Sequence, residues 1–238
     1  RSIPVQATRG VMYDRNGVIL AGSRPAYSVI MPVDRKGNTL SDDELQKLSV
    51  LLKMPVADLK KKIEDNKRAF GAIYLANDVG VDVATQIEEK KDDFPGIQIE
   101  VNPLRVYPLG AAGAQVLGYV GEAGPDDKDA DGNPYTTATL IGRAGIERKY
   151  NQYLEGKNGS KTIEVNASGQ PVGYVGGTPA VSGNNIRLTL DANLQKAAED
   201  AIDSQVKILA KSGIYATGAS AVAIDPNSGA VLALVSEP

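Results

Sequence analysis

Turns placed at short intervals constrain this chain more than any other feature, because each one ends an element before it can grow long. Residues 9–22 alternate around Asp14-Arg15-Asn16-Gly17, and Asn-Gly between two apolar runs is a strong short-range signal for a β-hairpin. A further strand is expected over residues 27–33. Ser41 and Glu44 then have the spacing of a capping box, in which two side chains satisfy free backbone donors at a helix start. Leu45, Leu48, Leu51 and Leu52 supply an apolar helical face behind it. Pro55 suits the first position of a second helix, with Leu59 and Ile63 inward and Lys60, Lys61, Lys62 and Glu64 outward on a solvated face. A short strand over 72–76, a third helix capped by Asp82 and running through Ile87, the turn Pro95-Gly96 and a strand over 97–101 follow. Residues 26–101 are therefore expected to form a small inserted α+β unit.

Glycine punctuation returns over residues 105–121, and 126–134 read as a polar surface loop. A helix is expected from Gly142 through Ile146, Tyr150, Tyr153 and Leu154, ended by Gly156 and Gly159. Strands over 161–165 and 171–175 flank Ala167-Ser168-Gly169 as a second hairpin. A strand over 186–190 leads to Asp191, which caps a long helix lined by Leu194, Ala198, Ala201, Ile202, Val206 and Leu209. Strands over 219–224 and 230–235, joined by the turn 225–229, look like the opening of a new domain. The expected class is α+β, with 1–25 and 102–185 as one part, 26–101 inserted into it, and 186–238 beginning another. Both ends look cut.

Composition narrows the chemistry. The 238 residues contain no histidine and no cysteine, which excludes Ser-His-Asp and Cys-His catalysis, His- or Cys-ligated zinc, disulfides and thiol redox roles. A net charge of -3, with only 5% aromatic residues and no tryptophan, gives no basic or stacking face for nucleic acid. There is no run of eighteen apolar residues and no export-signal pattern, so no membrane span is expected in this segment.

The remaining catalytic candidates fail on position or completeness. Ser204 and Lys207 have the Ser-x-x-Lys spacing that lets an amine activate a serine, but Ser204 lies about 160–200° around the helix from Ile202 and Val206, away from the apolar stripe. Ser182-Gly183-Asn184 matches a Ser-x-Asn element, yet Lys161-Thr162 is followed by isoleucine and no Lys-Ser/Thr-Gly completes the set. Asp127, Asp129, Asp131 and Gly132 match part of a calcium loop, but position 12 would be Ala138 in place of a bidentate acid; a solvated acidic turn is the better reading, and no metal or cofactor is expected. The informative charges are Arg9, Asp14, Arg15, Arg105 and Glu147, which stand inside glycine-rich, otherwise apolar stretches. Charges in such settings pair, and Glu147 is expected to bond Arg9 or Arg15.

Four stretches in order resemble class B penicillin-binding proteins, the cell-wall transpeptidases that β-lactams acylate. Arg9-Gly10 through Asp14-Arg15-Asn16-Gly17 is similar to their first signature. Arg105-Val106-Tyr107-Pro108 with Leu117-Gly118-Tyr119-Val120-Gly121 is similar to the second, with Gln115 where a histidine is usual. Gly142-Arg143-Ala144-Gly145-Ile146-Glu147 is similar to the third, and residues 188–195 and 223–235 resemble the entry to the transpeptidase domain. The elongation type is the nearest match and the division type its neighbour. The resemblance implies an elongated pedestal or dimerisation region, in which 26–101 is the head and 1–25 with 102–185 the anchor. It also implies a membrane helix before Arg1 and a catalytic serine beyond Pro238. The fragment itself would then be a non-catalytic scaffold at the extracytoplasmic face of the bacterial cytoplasmic membrane. Its implied partners are a SEDS-family glycan polymerase and a rod-shape scaffold protein, while peptidoglycan stem peptides would meet only the full-length enzyme.

Overall fold

The structure, a computed structural model, describes residues 2–32, 40–66, 72–124, 126–129, 132, 135, 139–165 and 171–237. The first half of the chain runs β1 (Ser2–Val5), β2 (Met12–Tyr13), β3 (Ile19–Pro32), α1 (Asp42–Leu52), α2 (Val56–Asp65), β4 (Ala72–Val79), α3 (Val81–Glu89) and β5 (Gln98–Val106). Then come α4 (Ala114–Leu117), β6 (Val120–Glu122), β7 (Leu140–Gly142), α5 (Gly145–Lys149), α6 (Asn151–Leu154), β8 (Gly159–Val165) and β9 (Pro171–Thr178). The last elements are β10 (Ile186–Arg187), α7 (Ala192–Lys211), β11 (Ala219–Ile224) and β12 (Val231–Glu237). The fold is mixed α+β. Contacts divide it into two units, one of Arg1–Gln6, Arg24–Leu104 and Asn158–Pro179, the other of Ala7–Ser23, Arg105–Lys157 and Ala180–Pro238.

In the first unit, β4 pairs with the second half of β3 and β5 also pairs with β3, and the helices close one face of this sheet. Leu45 and Leu48 of α1, Leu59 of α2, Ile87 of α3 and Val29, Met31, Ile73 and Leu75 of the strands form the core, each large side chain worth about 2–3 kcal/mol of burial. Ser41 caps α1 as its spacing requires, accepting from the Glu44 N–H while Glu44 Oε2 accepts from the Ser41 N–H at 2.6 Å. Pro55 is the cap of α2, one residue before the position expected for it. Gly80, and not Asp82, caps α3; Asp82 lies inside the first turn, where its charge still favours the helix dipole. A separate antiparallel sheet of order β1-β8-β9 belongs to the same unit, and the turn expected at 167–169 falls outside the described residues.

The second unit is built on the first hairpin. β2 pairs with the start of β3 through a bulge after Met12, and Asp14 N–H donates to Val18 O at 2.8 Å across the loop Arg15-Asn16-Gly17. Gly17 has φ +88°, a conformation that glycine supplies without steric cost. β10 joins β2 in parallel, Ile186 opposite Met12. Met12, Leu20, Ala21, Leu117, Leu154, Leu190 and Ala192 make the core here.

Several boundaries differ from expectation. The strand expected at 27–33 is the far end of one fourteen-residue strand, β3, and Val33 falls outside the described residues. Gly142 ends strand β7, and the helix expected from it is two short helices split at Tyr150, whose φ of -109° and ψ of 24° break the run. The strand expected over 186–190 pairs at only two residues. In α7 the expected stripe holds at Ala198, Ile202, Val206 and Leu209, which are half-buried, and Ala192 and Gln195 extend it as the buried positions, whereas Leu194 and Ala201 are exposed.

Candidate functional site

Three signature segments of the second unit converge on one buried carboxylate. Glu147, in the first turn of α5, has no exposed surface. Arg9, ahead of β2, donates from Nε to Glu147 Oε2 at 2.6 Å and from Nη2 to the Glu147 carbonyl at 3.0 Å. Arg105, near the end of β5, donates from Nε to Glu147 Oε1 at 2.7 Å and from Nη1 to the Gly10 carbonyl at 2.7 Å. The Tyr107 hydroxyl adds a third donor at 3.3 Å; burial, then the Glu147 charge, push its pKa up to about 12. Glu147 therefore pairs with Arg9, one of its two expected partners, and with Arg105. Arg15 lies exposed in the hairpin turn. Charge-assisted bonds of this length are about twice as strong as neutral ones, and a buried carboxylate held by two guanidiniums fixes three distant chain segments at one point.

The glycines of the same signatures allow backbones to touch. A Cβ on Gly118, which has φ +76°, would lie 1.9 Å from the Ala144 carbonyl oxygen, and one on Gly145, φ +56°, would lie 2.4 Å from that of Val116. Gly10 and Gly142 are equally enclosed, by the carbonyls of Asn184 and Glu147, and Gly142 N–H donates to Asn151 Oδ1 at 2.9 Å. Pro108 and Tyr119 are exposed neighbours of this cluster.

A second buried acid ties the hairpin to α7. Asp14 Oδ1 accepts from the Asn16 and Val18 N–H groups at 2.7 and 2.8 Å, and Oδ2 from Ala192 N–H at 3.1 Å. Burial raises its pKa, but these backbone donors together outweigh it and hold the carboxyl below its ordinary value. Asp191 caps α7 by accepting from Asn193 and Leu194 N–H and also takes the Asn16 amide at 3.0 Å. Further along α7, Gln195 mimics a strand. Its amide donates to Leu234 O at 2.9 Å and its oxygen accepts from Leu234 N–H at 2.8 Å, while Glu199 accepts from Gly113 N–H at 2.8 Å. Gln115 donates to the same Leu234 carbonyl at 3.3 Å. Sequence reasoning missed Gln195 and Glu199. The signal was present in their spacing with Ala192, but polar residues were counted as outward.

The other candidates stand apart from these clusters. Ser204 is exposed on α7, and Lys207 pairs with Asp203 at 2.5 Å in a solvent-facing i,i+4 bridge. Ser182 and Asn184 belong to a loop whose backbone bonds Thr8 and Tyr153. Asp127 is taken by Gly124 N–H at 2.7 Å and by Arg143 at 2.8 Å, which together lower its pKa; Asp131 lies outside the described residues. Among the described residues no helix is long and apolar enough to cross a membrane.

A family model described as the penicillin-binding protein dimerisation domain matches residues 4–188. Peptidoglycan D,D-transpeptidase MrdA of Escherichia coli K12 is 34% identical over 244 residues, covering 99% of this chain and 36% of that protein. MrdA of Acinetobacter baumannii is 31% identical over 237 residues, covering 99% and 33%. FtsI of Escherichia coli K12, a peptidoglycan D,D-transpeptidase, is 28% identical and covers 100% and 37%. The chain thus spans about a third of the length of these curated relatives. Among solved structures, a complex between penicillin-binding protein 2 and MreC from Helicobacter pylori is similar with a TM-score of 0.74 at 26% identity, covering 100% of this chain and 42% of the other. Penicillin-binding protein 2X of Streptococcus thermophilus is similar with a TM-score of 0.59 at 25% identity, covering 100% and 35%.

Proposed function

The chain belongs to the penicillin-binding protein dimerisation-domain family, and on that footing we propose that it is the non-catalytic pedestal of an elongation-type peptidoglycan D,D-transpeptidase. The observation that carries this reading is the Arg9–Glu147–Arg105 cluster. It commits three buried charges of the second unit to fastening segments together, in an arrangement suited to a rigid mount and not to acid–base work. The greater identity to MrdA, 34% against 28% for FtsI, favours elongation over division. In this proposal 26–101 is the head, 1–25 and 102–185 the anchor, and 186–238 the first strand, helix and hairpin of the transpeptidase domain. The serine that is acylated lies on the part of the relatives this chain does not span.

The mount stands at the extracytoplasmic face of the cytoplasmic membrane and presents its surface to a SEDS-family glycan polymerase and a rod-shape scaffold protein of the MreC kind. The similar Helicobacter pylori complex supports the second partner. Surface plasmon resonance of this chain against the periplasmic part of the scaffold protein from the same organism tests it. Saturable binding that Glu147→Gln weakens is expected, and no binding at either protein's solubility limit would overturn the scaffold role.

A further inference from the structure

We propose that the arginine cluster of the second unit holds one small monovalent anion, of the size and charge of chloride, between Arg9 Nη1 and Arg105 Nη2. Arg9 commits Nε and Nη2 to Glu147, and Arg105 commits Nε to Glu147 and Nη1 to the Gly10 carbonyl. The two nitrogens left over, Arg9 Nη1 and Arg105 Nη2, are both buried, and among the described residues neither has a partner. Buried polar groups are almost always satisfied, and each exception calls for an explanation.

Charge identifies what satisfies these two. The cluster brings together two guanidiniums and one carboxylate, and the Tyr107 phenol, hydrogen-bonded to the same carboxylate, is neutral at neutral pH. The sum is one positive charge with 9% and 2% of the two arginine side chains exposed. The carbonyls of Gly10 and Glu147 pair N–H groups but carry no net charge. Asp14, the other fully buried acid among the described residues of this unit, has both oxygens occupied by backbone donors. A water molecule would satisfy the donors and leave the charge uncompensated, which is costly away from solvent. A dianion would replace one excess charge with the opposite one. A small monoanion answers both requirements, and the residual exposure of Arg9 gives it a way in. The inference stands on the cluster alone and does not rest on the proposed function.

Crystals of this chain soaked in sodium bromide test it directly, because bromide scatters anomalously and exchanges with chloride. The expected result is an anomalous peak within hydrogen-bonding reach of both Arg9 Nη1 and Arg105 Nη2. Density there without anomalous signal, or bromide only on surface lysines, overturns the proposal. In solution, after exhaustive dialysis into gluconate, chloride added at constant ionic strength should raise the melting temperature saturably by about 2–4 °C. Arg105→Met should lose that rise, and equal melting in chloride and gluconate counts against the site. Should Arg105→Met fail to fold, the bromide map of the unaltered chain decides.

Discussion

Replacing Glu147 by glutamine keeps the shape of the side chain and removes the carboxylate charge that two buried guanidiniums share. In the present geometry Arg9 Nε and Arg105 Nε approach the two carboxylate oxygens at 2.6 and 2.7 Å. One of those oxygens becomes an NH2 group, which must face an N–H donor at a distance that only an acceptor tolerates. Stranding buried charges in this way costs about 3–5 kcal/mol. Arg9→Met should cost less, about 1–3 kcal/mol, because it leaves the neutral pair Glu147–Arg105 in place. The charge count, not the number of bonds, sets the order. Two contact units make a single two-state fit unsafe, so hydrogen exchange resolved by segment is the suitable assay. Opening free energies in residues 7–23, 105–157 and 180–237 should fall in Glu147→Gln, accelerating exchange by about two to four orders of magnitude. A loss below about 1 kcal/mol, or an Arg9→Met variant as damaged as Glu147→Gln, would refute the reasoning.

Gly118→Ala places a methyl group 1.9 Å from the Ala144 carbonyl oxygen at φ +76°, so a loss of about 2–3 kcal/mol is expected in urea unfolding, more than glycine replacement costs in an open turn. For Asp14 the folded pKa lies below the ordinary value of 3.8. Its contribution is therefore complete above that value and lost as pH falls through the lower folded pKa; Asp14→Asn should flatten the acid limb of stability against pH in this window. Tyr107 titrates at about 12 in the fold against 10.0 for the free group. Stability should accordingly fall between those pH values by at most about 2–3 kcal/mol, and Tyr107→Phe should remove that slope in an alkaline titration followed by circular dichroism.

Local chemistry made the first unit legible before any coordinates. Ser41 and Glu44 announce a helix start through groups three residues apart, and Leu45 and Leu48, also three apart, fall on its buried face. The hairpin at Asn16-Gly17 was equally local. The residues alone offered Arg9 as one of two partners for Glu147 but not Arg105, which approaches it from 42 positions away with no spacing rule to connect them. The same limit hid Gln195, whose role depends on Leu234 bonding across 39 positions. The break at Tyr150 was also not read from the sequence; there Asn151, a weak helix former, turns its side chain to accept from the Gly142 N–H at 2.9 Å. The resemblance to a known family carries the proposed function, which no periodicity in this chain could have carried.

The central claim is that this chain mounts a transpeptidase and performs no acyl transfer itself. Intact-mass spectrometry after incubation with excess labelled penicillin tests it most directly. The unaltered mass of the chain is expected, under conditions in which a longer polypeptide spanning the full length of its relatives gains one acyl group. A covalent adduct on this chain, at Ser204 or Ser182 above all, would contradict it.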